Sequence, residues 1–258
     1  MLLSMLAQAA TLALVASRIS GFVVVSPFPG DRWPQSARVA LIVVLSYLTA
    51  SFIPATNLKP ELGLPLIGAA IVEFLCGVII GAAFRFLMAA ADVVGGISAQ
   101  TSGLGAASLY DPSTGTPDSA LSQMTTLLAV CVALAIGAHR VALAYLLESF
   151  RVLPIGGVPW GIPLGMSVLV DMSGQCLVIG VRLAMPAIAV SLTVQSALAM
   201  VARAAPSLQI FSVGFAVMIV AGLATLLASL PAIGTGLAEE MGQLGMLLDR
   251  IFEAMSSR

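Results

Sequence analysis

The side chains best able to do chemistry in this chain are the charges set inside its apolar runs. Glu73, Arg85 and Asp92 lie in one run and Asp171 and Arg182 in another. Asp171, Gln175 and Arg182 fall at offsets of 4 and 7, so at 3.6 residues per turn they form one polar stripe on a helix. Arg85 and Asp92, seven apart, share a face in the same way. Seven residues rise about 10 Å, so neither ionic pair can close along its own helix. Each is expected to find its partner on another helix. One reading makes these charges ionic contacts that fix helix packing. The other makes them a relay or the lining of a conduit, because charge inside a membrane marks a pathway.

Catalytic chemistry is hard to build from the rest. His139 is the only histidine, beside Arg140, and no Cys, Asp or second His lies at helical spacing from it, as a metal site would require. There is no nucleophile elbow, phosphate-binding loop, zinc-protease motif or paired-carboxylate pattern. The expectation is a protein that is not an enzyme and carries no cofactor or metal.

Composition says where such charges must sit. Asp, Glu, Lys and Arg make up 9% of the 258 residues, against about 25% in soluble domains. Apolar residues make up 59%, so a water-soluble surface cannot be assembled from the remainder. The chain is membrane-associated. Each ionisable side chain on a lipid-facing helix would cost about 2.5–3.5 kcal/mol near the bilayer centre, so these helices are expected to face protein or a watery cavity. The net charge of −1 offers no basic field for nucleic acid or an anionic surface. Cys76, Cys131 and Cys176 stand singly in apolar runs and read as small buried hydrophobes. The first apolar stretch has no Lys or Arg ahead of it, which favours a retained helix over a cleaved signal peptide.

Six apolar blocks, 2–25, 37–53, 62–98, 119–149, 163–202 and 208–230, are separated by segments that each contain Pro. The expected class is all-α and membrane-associated, built from long helical hairpins. Blocks 62–98 and 163–202 run to almost twice the about 20 residues that span a bilayer, so each must break, tilt or extend beyond it. Pro186 offers a break in the second. Gly77 and Gly81 form a small-xxx-small pair that reads as close helix packing. Beyond Pro231, itself taken as a break, Leu237, Met241, Leu244, Leu248, Ile251 and Met255 repeat at a spacing of three or four. They make residues 237–255 an amphipathic terminal helix. Its acidic polar face argues against anionic lipid, and its stripe, lacking an evident surface within the chain, is expected to meet a partner protein.

Two strings carry a resemblance. One runs from LYDPSTG (109–115) to GAHRVALAYLLESFRVLPIGG (137–157), and the other joins RLAMPAI (182–188) to RAAPSLQIFSVGF (203–215). With the early Arg-x-x-Gly-Phe (18–22), its Pro-Phe-Pro sequel (27–29) and the Glu-x-x-x-Gly-x-x-x-Gly of 73–81, the chain resembles the FliR family of flagellar biosynthesis proteins. The injectisome SctT proteins belong to the same superfamily. The likeness covers nearly the whole chain. It departs at Ala216, where the family often has Pro, and at Ala138, where it often has Asn.

The resemblance implies a single domain over 1–258, with a FliP-like portion (1–160) followed by a FliQ-like hairpin (161–258). It implies a subunit of the type III export gate in the bacterial inner membrane, within the flagellar basal body. There one FliR would join several copies of FliP and FliQ, with FlhB and FlhA outside. It would wall a conduit for unfolded flagellar proteins. The loop holding Gly103, Gly105, Leu109, Tyr110, Asp111 and Pro112 would project into that conduit and help to plug it. Without the resemblance that loop reads as an exposed turn. The competing reading is a secondary transporter of a small solute, which midplane charge would suit, although no pair of related halves is visible.

Overall fold

The computed structural model describes residues 2–27, 33–52, 64–102, 120–156, 162–204 and 210–256. Among these, every regular element is an α-helix: α1 (Leu2–Val25), α2 (Gln35–Phe52), α3 (Leu64–Thr101), α4 (Ala120–Ile136), α5 (Ala138–Val152), α6 (Ile162–Ala204), α7 (Ile210–Gly242) and α8 (Leu244–Ser256). Helices are the expected answer for an apolar chain, because each backbone N–H then finds its acceptor inside its own segment. The hydroxyls obey the same economy. Thr11, Ser46, Thr101 and Thr193 all donate to a carbonyl one turn back in their own helix.

The long blocks are long helices. α3, α6 and α7 contain 38, 43 and 33 residues, or about 50–65 Å of helix against a hydrocarbon core of about 30 Å. Two expected breaks are absent: α6 runs on through Pro186 and α7 through Pro231. Each proline forfeits one backbone bond, which a long helix tolerates where neighbouring turns hold it. An unexpected division appears instead at Gly137, whose φ of +82° ends α4 and starts α5. Among the described residues four helices are long and apolar enough to cross a membrane, and a fifth span results if α4 and α5 are counted as one broken span.

Contacts divide the chain into two units, each assembled from separated segments. The first holds Met1–Phe86, Gly137–Ser173 and Gln243–Arg258. In it α2 packs on α1, and α8 on α5. α1 and α3 run in the same direction with their backbones touching. A Cβ on Gly21 would strike the Phe74 carbonyl, one on Gly77 the Arg18 carbonyl, and one on Gly81 the backbone between Phe22 and Ser26. Only glycine permits this approach. The rings of Phe22 and Phe84 close the seam edge to face at 6.4 Å. Gly77→Ala should therefore destabilise the chain by about 1–3 kcal/mol, measured as an earlier thermal loss of the monodisperse peak in detergent.

The second unit holds Leu87–Ile136 and Gly174–Gly242. Here α4 packs on α7, and α6 and α7 form an antiparallel hairpin. Gly236 faces Leu183 near its base, and Gly214 faces Leu198 towards its tip. α3 lies along this hairpin, with Val93 against Gly180 and Ser102 against Gly222.

Candidate functional site: a buried arginine and glutamate

The most constrained polar group in the first unit lies where the sequence placed no pair. Arg18 on α1 and Glu73 on α3 form an ion pair, Nε to Oε2 at 2.6 Å, with both side chains 1% exposed. Parallel packing of the two helices brings them level. Arg18 also spends its guanidinium on the end of α5. Nη1 donates to the Ser149 carbonyl at 2.8 Å and to its hydroxyl at 3.3 Å, and Nη2 donates to the Leu153 carbonyl at 3.0 Å. These carbonyls have no helical donor beyond the Leu153 N–H that reaches Ser149, so a cation at this helix end is doubly favoured. The Phe150 ring lies 4.4 Å from the guanidinium carbon, an arrangement that attracts a cation.

Glu73 completes the circuit. Its other oxygen, Oε1, accepts the Gly156 N–H at 3.0 Å. Gly156 holds φ at +77°, a conformation that costs other residues their Cβ clearance. Leu153 and Ile155 fill the space beside it and are buried. Arg18 and Glu73 thus bind one segment, 149–156, from two helices. A charge removed from water is tolerated when it is paired and its remaining hydrogen-bonding positions are filled. This cluster meets both conditions. Among the described residues no group of three or more His, Cys, Asp or Glu could hold a metal.

The other charges singled out from the sequence lie elsewhere. Arg85, Asp92, Asp171, Gln175 and Arg182 are all exposed on this chain, so it does not itself make them interior. Asp92 does meet another helix, accepting the Thr126 hydroxyl of α4. The stripe on α6 lies opposite the face that buries Leu169, Met172, Cys176, Ala184 and Ala187. Cys76 and Cys176 are buried as expected, whereas Cys131 is exposed. His139 is half-buried. The loop residues Gly103, Gly105, Leu109, Tyr110, Asp111 and Pro112 lie outside the described residues.

The terminal helix requires a correction. Met241, Leu244, Leu248, Ile251 and Met255 are buried within the chain, as is Leu237. Their stripe does have an intrachain surface. Met255 packs against Gly165, Phe252 lies 5.7 Å from the Tyr145 ring, and the Tyr145 hydroxyl donates to the Gly245 carbonyl and to Asp249, each at 3.0 Å. The helix begins at Leu244 and not at Leu237, which still belongs to α7, and its docking surface lay out of reach of a local reading.

Arg18 and Glu73 were each visible in a motif, but nothing in the spacing said that they meet. The signal was the register of small residues, Gly21 on one helix and Gly77 and Gly81 on the other, which sets their alignment. These residues and the 149–156 segment all fall within the match to the bacterial export proteins, family 1, which covers residues 9–244. The chain belongs to that family.

Its relatives in the bacterial export family agree along most of their length. The flagellar biosynthetic protein FliR of Aquifex aeolicus is 32% identical over 224 residues, 86% of each chain. That of Pectobacterium carotovorum is 30% identical over 241 residues, 93% of this chain and 92% of the relative. That of Escherichia coli K12 is 27% identical over 217 residues, 84% and 82% respectively. The FliR resemblance read from the motifs is thus shown over nearly the whole chain.

Proposed function

We propose that this chain is a subunit of the flagellar type III protein export gate in the bacterial inner membrane, within the basal body. It shares one hetero-oligomer with FliP and FliQ, has FlhB and FlhA as further partners, and forms part of the conduit wall for unfolded flagellar proteins. The observation that carries this reading is the bareness of α6 and α7. In the most apolar stretch of Gly165–Ala204, and likewise of Ala216–Met255, only 17% of the residues are buried by the chain itself, and the outward face of α6 carries Asp171, Gln175 and Arg182. Lipid is a poor cover for that stripe, and helices of about 50–65 Å outrun the bilayer. Neighbouring subunits supply what both features need. With its apolar stripe covered, the terminal helix would meet a partner through its outward residues, Met246 and Arg250.

The test is recovery of the tagged chain from its native membrane. FliP and FliQ should co-purify with it in a single stable complex. Recovery as a monomer or homo-oligomer without them would overturn the reading and favour a transporter of small solutes. The 102–117 loop is proposed as the seal of the resting conduit, with Leu109 and Tyr110 as its bulky members. Tyr110→Ala should make membranes leak small ions while the complex still assembles. An assembled variant no leakier than its parent would remove the sealing role.

A further inference from the structure

We infer that residues 149–156 are a strap that closes over Arg18 and Glu73, and that its closure sets the first unit into the form that partner subunits accept. The strap is gripped at both ends by charge and in its middle by packing. Arg18 holds the carbonyls of Ser149 and Leu153, Glu73 holds the Gly156 N–H, and Leu153 and Ile155 are buried. The two charges make their full set of contacts only when the strap is down. With the strap lifted, the ion pair between α1 and α3 keeps one carboxylate oxygen and most of a guanidinium without their partners. Open and closed forms therefore differ sharply in polar satisfaction, which makes the closure two-state.

The position of the strap also fixes what lies on either side of it. It starts on the last turn of α5, the helix whose Tyr145 holds α8 through Gly245 and Asp249. Six positions after Gly156, α6 begins, bringing Asp171 to the surface of the same unit. The terminal helix and the root of α6 also meet in this unit, with Met255 against Gly165. The link to partner acceptance rests on the export-gate reading above, whereas the strap itself does not.

A thiol introduced by Ile155→Cys reports the strap directly, since that side chain is buried only while the segment is seated. In native membranes treated with N-ethylmaleimide, it should be as protected as Cys176. Adding Arg18→Lys, which replaces the fork with a single ammonium, should raise its labelling rate about tenfold, as expected from one lost charge-assisted hydrogen bond. Gly156→Ala should raise it by a similar factor from the other end, because the left-handed turn resists a Cβ, with Arg18 and Glu73 untouched. Cys176, in the second unit, should stay protected throughout. Unchanged labelling at position 155 in both variants would overturn the strap, and so would an equal rise at Cys176, which would mark general unfolding. The readout needs no partner, so a failure to capture FliP and FliQ would count against the export-gate reading alone.

Discussion

Replacing Arg18 with Leu should strip most of the folded chain from the membrane. Glu73, 1% exposed, would be left as a buried charge without its counter-ion, a loss of about 3–5 kcal/mol. That is a large share of the about 5–15 kcal/mol that holds a typical domain together. Steady-state abundance by immunoblot, and the monodisperse fraction after detergent extraction, should both fall severalfold. The double variant Arg18→Leu with Glu73→Leu should recover part of the loss, because no charge then remains to be solvated. It should not recover all of it, since the Ser149 and Leu153 carbonyls still lose their donor. Exchanging the charges, Arg18→Glu with Glu73→Arg, should fail as well, because the guanidinium would no longer leave α1 towards the end of α5. Parental abundance of Arg18→Leu would refute this account.

Ending the chain after Gly242 should be as damaging. It removes Leu244, Leu248, Ile251, Phe252 and Met255, all buried in this structure, together with the acceptors of the Tyr145 hydroxyl. A single Leu→Ala change in a packed core costs about 2–5 kcal/mol, so losing the whole helix exceeds the stability margin of the unit it covers. The truncated chain should resist recovery in folded form with or without other subunits, and Leu248→Ala should show an intermediate loss in thermal stability. A truncated chain that elutes like the parent would show that α8 is an appendage. The sequence alone pointed to a partner contact at this stripe, with the chain otherwise intact.

The helical class, the membrane setting and the excessive length of α3 and α6 were all legible in the sequence, because each follows from apolar runs and their lengths. What decides the rest is register between distant segments, which no local pattern records. Pro186 and Pro231 are helix breakers by local rule, yet both sit inside continuous helices. Gly137, one glycine in an apolar run, provides the break instead. The spacing of Asp171, Gln175 and Arg182 gives one face of one helix, but spacing cannot say what lies opposite that face. The Arg18–Glu73 pair was hidden for the same reason. Its two members were in view, while the parallel seating of α1 on α3 that joins them depends on where three glycines fall.

The partners of Arg18 are spaced far along the chain: Glu73 follows 55 residues later, Ser149 131 and Leu153 135. Ribosomes add about 5–20 residues per second, so Glu73 emerges roughly 3–11 s after Arg18 and the carbonyls of α5 only after roughly 7–27 s. Over that interval a guanidinium sits in a newly made apolar helix with its fork unfilled. Codon speed between positions 73 and 149 sets how long the insertion machinery must shelter it. For this chain, the tempo of translation is therefore part of the folding problem.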